Sequence, residues 1–302
     1  MKLILSSLLL ITFFSNCKES IAQSHQNKIH SQEYWSDGLA EVNRYELSQN
    51  RYDNIHKGHL IQVYVSEDFL TDKQVKNESY SSTKSTSVLK RIETRYFNTG
   101  IYDYNMFSST FTPFDIQKFP KAIKVTSTSQ EWCGTTFVQL NSTKKGYKHT
   151  INSYFEVEGD KITNINNATT EEELFTKLRM NPDLLPIGNF RMIPSSIVSR
   201  LLHLKAISYK STGMITAYNG QEFKGDNLKS YTITTPQLNR KVVIVYESKS
   251  PYKIVGWTDT YPSMFDKKPR TTVARLSHQI KEAYWKLNGK EDQDKRVLLG
   301  LD

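Results

Sequence analysis

Along most of this chain apolar and polar residues alternate, and that alternation constrains the fold more than any other feature. It shows at Ile92, Thr94 and Tyr96, at Tyr102, Tyr104 and Met106, and at Ile123 and Val125. It runs on through Tyr147, His149, Ile151, Ser153, Phe155 and Val157 until Gly159-Asp160 turns the chain into a run from Ile162 to Ile165. Residues two apart share one face of a strand, so repeated half-apolar segments imply an antiparallel sheet with one face packed and one wet. Leu60 to Val65 reads as a further strand, rich in β-branched and aromatic residues.

The last third carries the same signal. Met214 to Tyr218, the Asn219-Gly220 turn, Tyr231 to Thr235, Lys241 to Glu247, the Ser250-Pro251 turn and Lys253 to Tyr261 read as successive hairpins, because Asn-Gly suits the two-residue turn that matches strand twist. The period changes in three places. Thr170-Glu171-Glu172-Glu173 is a capping box opening a short helix that Pro182 ends. A second short helix follows Pro194, with Ser195 or Ser196 as N-cap. Both read as connectors. From Thr271 to Asn288, Val273, Leu276, Ile280, Ala283, Tyr284 and Leu287 fall on one face of a predicted C-terminal amphipathic helix, with Gly289 after it. Helical spacing is weak after Tyr34-Trp35, and the Ser-rich stretch from Asp72 to Ser87 reads as an exposed loop. The expected fold is β-dominated α+β: a long curved antiparallel sheet, open or closed to a half-barrel, covered by a few helices including the C-terminal one.

The N-terminus decides where such a body works. Met1-Lys2 precedes an apolar run from Leu3 to Phe14 that is too short to span a bilayer, which is the pattern of an export signal. Two cleavage sites compete. Phe14-Ser15-Asn16-Cys17 is similar to a bacterial lipobox, in which Cys17 becomes lipidated, although Phe14 and Asn16 depart from the usual Leu and small residue. Ser20-Ile21-Ala22 instead offers small residues for release of a soluble protein starting at Gln23. The first reading divides the chain into a signal peptide (1–16), a lipidated Cys17 with a flexible tether (17–33) and one β-rich domain (34–302). Its expected partner is the membrane, through the lipid anchor. Lys18, not Asp, follows Cys17, which favours the outer membrane over the inner one. On either reading Cys133 is the one cysteine left in the mature body, so no internal disulfide is expected and packing must hold the fold.

Forty Lys and Arg against 31 Asp and Glu give a net charge of +9, yet no run of five like charges occurs, so nucleic acid is not an expected partner. Other candidate chemistry is sparse. In Glu131-Trp132-Cys133-Gly134, Cys133 is a weak candidate nucleophile with His149 as a base on the neighbouring strand; the alternative is a small buried hydrophobe beneath an aromatic lid. His56 and His59 are three apart, which on a strand points them to opposite faces, so no metal site is expected. Asp37, Glu41 and Glu46, or Glu156, Glu158 and Asp160, supply carboxylates for a hydrolase only if two face each other across a cleft. Ser199 and His203 stand four apart on the second short helix. Tyr34, Trp35, Tyr96, Phe97, Tyr102, Tyr104, Phe107, Phe111 and Phe114 are enough to line an apolar concave surface or to build a Tyr-rich core.

Tyr34-Trp35-Ser36-Asp37-Gly38 with Ala40-Glu41, Ile55-His56-Lys57-Gly58, Phe97 to Tyr102 and Ser129 to Gly134 together resemble a family of uncharacterised bacterial lipoproteins. Some members of it carry the label "septum formation inhibitor Maf". That label implies a nucleotide pyrophosphatase with an N-terminal Ser-x-Ser-Pro-Arg-Arg motif. Here the one Ser-Pro is Ser250-Pro251, followed by Tyr252-Lys253, and neither a P-loop nor a Gly-rich phosphate cradle occurs, so no cofactor is expected. The hairpin from Lys241 to Tyr261 also resembles the closing strands of half-barrel lipoprotein carriers of the periplasm. The expectation is therefore an envelope lipoprotein that binds an apolar ligand or an envelope protein, with an exported hydrolase as the alternative.

Overall fold

The computed structural model describes residues 33–80 and 83–301; the export signal, Cys17, the tether and the Ala22 cleavage site lie outside them. The first arm comprises β1 (Ala40–Arg51), β2 (Asn54–Leu70), the short β3 (Val75–Lys76), β4 (Ser85–Thr99), β5 (Tyr102–Pro113), β6 (Lys124–Glu131), β7 (Gly134–Thr143), β8 (Gly146–Ser153) and β9 (Lys161–Asn166). The second comprises β10 (Thr169–Thr170), β11 (Gly188–Ile193), β12 (Tyr209–Ala217), β13 (Leu228–Thr235), β14 (Arg240–Glu247), β15 (Ile254–Pro262) and β16 (Pro269–Glu282). Each arm is a meander. Pairing of β16 with β1 joins them into one 16-stranded sheet whose edges are β9 and β10. All pairings are antiparallel except β10 with β11.

The order of the strands dictates the shape. The two edge strands are consecutive in the chain, with Asn166 and Thr169 ending one and starting the other, and three Cα steps span at most about 11 Å. The sheet must therefore curl until its edges nearly meet, leaving a seam between β9 and β11. Ile165 and Ala168 on one side of that seam share an apolar cluster with Ile193 on the other.

Two helices enter the curl. The first, α1 (Glu171–Met180), is started by Thr170, whose hydroxyl accepts from the Glu173 amide at 3.4 Å, and is followed by Asn181 and Pro182. Every one of its residues is buried. Leu174, Phe175 and Leu178 pack against Tyr45, Leu60 and Tyr104 of the first arm and Ile233, Ile244 and Trp257 of the second. The helix read from sequence as a connector is the axis of the molecule. Its charges come inside with it. Arg240 meets both Glu171 and Asp259, Arg179 meets Glu41, and Glu93 lies between Arg91 and Arg95, all deeply buried. The second helix, α2 (Ser196–Leu202), is two turns long and packs against β5 and β6.

Three expectations are corrected. The predicted C-terminal helix is β16 followed by short 3-10 turns. A bulge beside β1, where Arg44 pairs with His278 and Tyr45 with Leu276, switches the facing of successive residues, so the apolar positions lose their strand period. Val273 on the outer face is in turn covered together with Phe223, Val245 and Val255. That cover also explains the second correction, because residues 218–227 form an overlying loop holding Phe223, and Asn219-Gly220 is no tight hairpin. Third, β1 stands where only weak helical spacing was legible, because it is buried on both faces.

Candidate ligand-binding pocket

At the seam the inner faces of β7, β8 and β9 are left without a core helix over them. Paired residues share a face in an antiparallel ladder, so the register assembles three rows: Thr136 with Ser153; Val138 with Ile151 and Lys161; Leu140 with His149 and Thr163. Across from this floor stand Pro194, α2 and the segment that follows α2, with Ser199, His203, Leu204, Ala206 and Ile207. A cavity of about 340 Å³ lies between. Val138, Leu140, Ile151, Ile193, Leu204 and Ile207 make its lining mostly apolar, and its size falls in the range of small-molecule sites. Val157 at its mouth is 84% exposed, and Ile207 is also exposed.

The polar groups around the cavity are mutually engaged. His203 closes α2 in a left-handed conformation with φ +49°. Its Nδ1 lies 2.6 Å from Glu158 Oε1 and its Nε2 lies 3.3 Å from Arg200 Nη1. A carboxylate accepts and a guanidinium donates, so the proton sits on Nδ1 and the Nε2 lone pair is taken. Arg200 also bonds Glu131 and stacks 4.1 Å over the Phe155 ring. Burial opposes ionisation of Glu158, but bonds from His203 and Ser153 outweigh it and hold this carboxyl below its ordinary range. His149, in the floor, is buried, and burial lowers its pKa. Its Nδ1 lies 3.4 Å from Thr163 Oγ1.

The pairings imagined from sequence are largely separated. Cys133 is an exposed free thiol at the β6–β7 turn. His149 pairs with Leu140, six residues beyond Gly134, which is about 20 Å along the strand. The aromatic lid expected over Cys133 is absent, since Trp132 is 70% exposed. Ser199 and His203 do not form a nucleophile–base pair, because the Ser199 hydroxyl donates to the Pro194 carbonyl and His203 Nε2 is occupied by Arg200. Glu41 is paired inside with Arg179, Glu46 outside with Arg44, and Asp37 with Lys281; Glu158 is taken by His203, and Asp160 accepts from the Ser153 amide. His56 bonds the Arg51 carbonyl and His59 stacks on Tyr96. Among the described residues no group of three His, Cys, Asp or Glu is placed to hold a metal. Of the aromatic cluster, Trp35, Phe97 and Tyr104 belong to the core and Tyr96 and Phe107 are exposed.

His149, Ser199, His203 and Glu158 thus all line one cavity, where His203 bonds Glu158 while His149 lies near Thr163 and Ser199 bonds Pro194. Lys161, Lys205 and the apolar rows of β7 and β8 escaped sequence reading; the alternation of Val138 with Leu140 and of His149 with Ile151 was the available signal. No helix of the described residues is long and apolar enough to cross a membrane. No family model and no curated protein matches the chain. Among solved structures it is similar to one described as "putative outer membrane lipoprotein-sorting protein domain" from Vibrio parahaemolyticus, at 9% identity, over 91% of this chain and 97% of that chain, with a TM-score of 0.16, a level of likeness from which neither fold nor function is carried over.

Proposed function

We propose that this protein is an exported lipoprotein of the cell envelope, anchored through Cys17, whose body holds a small apolar or amphipathic ligand at the seam of its sheet. The observation that carries the binding reading is the cavity of about 340 Å³ with its apolar floor on β7 and β8. Inside the curl α1 fills most of the space and the seam is left open, while the larger depression of about 600 Å³ beside β2, β4 and β5 is more open to solvent. The export signal and the lipobox-like Cys17 support the envelope placement, and several acyl chains on one residue would make a stable anchor.

Native mass spectrometry of the full-length protein tests the binding reading. A co-purifying small molecule is expected, and it should disappear in Ala206→Trp, whose indole would occupy the cavity. A ligand-free wild type that also takes up no single-chain amphiphile overturns the reading. Labelling with a radioactive fatty acid tests the anchor separately: wild type should incorporate label and Cys17→Ala should not.

A further inference from the structure

The charges at the mouth of the cavity are unbalanced. One carboxylate lines it, Glu158, and it is consumed by His203 and Ser153, while the lining guanidinium of Arg200 is consumed by Glu131. The lysines are not consumed in the same way. Lys161 sits on the first residue of β9, in the row of Val138 and Ile151, and its Nζ donates to the Val157 carbonyl at 2.8 Å, which holds the ammonium at the mouth with donors to spare. Lys205 lines the opposite side, on the segment after α2. Neither has a carboxylate partner among the described residues. Beneath them Val138, Leu140 and Ile151 make the floor mostly apolar, with Thr136, His149 and Thr163 as its polar members. His149 is disfavoured as a cation by its burial.

From this juxtaposition we infer that the ligand is a single-chain amphiphile carrying an anionic group, its apolar chain lying along β7 and β8 and its carboxylate or equivalent held between Lys161 and Lys205. The inference rests on the binding reading above and specifies its ligand. A charge-assisted hydrogen bond contributes more than a neutral one, and two exposed ammonium groups without carboxylate partners above a mostly apolar floor present the electrostatic complement of an acid head on a hydrocarbon tail.

Calorimetric titration of the full-length protein at pH 7.5 with decanoate and with 1-decanol separates the claims. Decanoate should bind at least about tenfold more tightly than the alcohol, the gain of one charge-assisted contact. In Lys161→Met/Lys205→Met, which keeps the apolar stems of both side chains, decanoate should fall to the level of the alcohol while alcohol binding stays unchanged. Equal affinity of wild type for the two compounds overturns the anionic assignment and leaves the pocket reading standing. A preference that survives intact in the double variant removes these two lysines from the site. Binding of neither compound overturns both the assignment and the pocket reading.

Discussion

Two regions inside the same curl handle charge and space in opposite ways. Around the N-terminus of α1, Arg91, Glu93, Arg95, Glu171, Glu172 and Asp259 converge on a gap of only about 20 Å³, and all of these but Glu172 are in ion pairs within hydrogen-bond distance, Arg240 pairing both Glu171 and Asp259. At the seam, ion pairs lie beside a cavity of about 340 Å³, and Lys161 and Lys205 line it without a carboxylate partner among the described residues. Helix length accounts for the difference. The ten residues of α1 reach from one arm to the other, whereas the seven of α2 end at Leu202 before the β7–β9 floor is covered. A continuous sheet therefore needs no loop insertion to make a pocket; it is enough that its second covering helix is short.

The sharpest way to break this contrast is at the charged end. Arg240 holds Glu171 through two hydrogen bonds of 2.5 and 2.7 Å and Asp259 through two more of 2.7 and 2.8 Å. Arg240→Ala strands two buried carboxylates and should cost about 3–5 kcal/mol in denaturant unfolding. Replacing all three with apolar residues of similar volume should recover most of that loss, since desolvation offsets much of what such pairs contribute. Ala206→Trp at the seam should cost clearly less than Arg240→Ala, because Ala206 borders the cavity as well as an apolar cluster and the new ring has space to enter. Comparable losses for Arg240→Ala and Ala206→Trp would mean that the two regions are packed alike.

A smaller effect comes from Glu172, one residue from that network. Its Oε1 accepts from the Ser196 amide at 2.6 Å and its Oε2 has no side-chain or backbone partner. Burial pushes its pKa from an ordinary 4.5 up to about 7, more than the Ser196 bond lowers it. Between those two pH values the unfolded chain has released a proton that the folded chain still holds. Stability from this group is therefore complete below about 4.5, falls as pH rises toward 7 and levels off above it, by about 3 kcal/mol at most. Glu172→Gln keeps a neutral acceptor for Ser196, so the difference between the wild-type and variant stability curves should carry this slope. Parallel curves from pH 4.5 to 8 would show that Glu172 is already ionised in the folded protein.

The sheet was legible in the sequence because most strands have one wet face, which preserves the period of two in β4, β5 and β8. It was obscured where a second layer covers the outside, as with Phe223 over Val273 near β16, or where both faces are buried, as in β1. The capping box correctly located α1, yet the helix read as a short connector and not as a buried one; nothing near Glu171 in the sequence announces Arg240, which lies 69 residues away. The pocket was visible only as scattered letters. His149, Glu158, Ser199 and His203 each stood out, but what unites them is the failure of β9 to pair with β11, a consequence of strand order across the whole chain.

The smallest expected effect concerns the residue that stood out most. Cys133 and Trp132 form the tip of the β6–β7 hairpin, whereas Glu131, two residues before the thiol, reaches back to Arg200 and so belongs to the seam. The tip and the seam are thus joined through one side chain and not through the cysteine. Cys133→Ser should change stability by no more than about 0.5 kcal/mol, as for an exposed residue with no buried partner, and decanoate titration should be unaltered. Glu131→Gln, in contrast, leaves the buried Arg200 guanidinium without its counter-ion, so it should destabilise the protein and weaken uptake together. Alkylation of native Cys133 with iodoacetamide provides the decisive check: the thiol should react readily and the modified protein should still take up decanoate. Loss of uptake on alkylation would place the hairpin tip within the binding site and remove the distinction between a filled interior and an open seam.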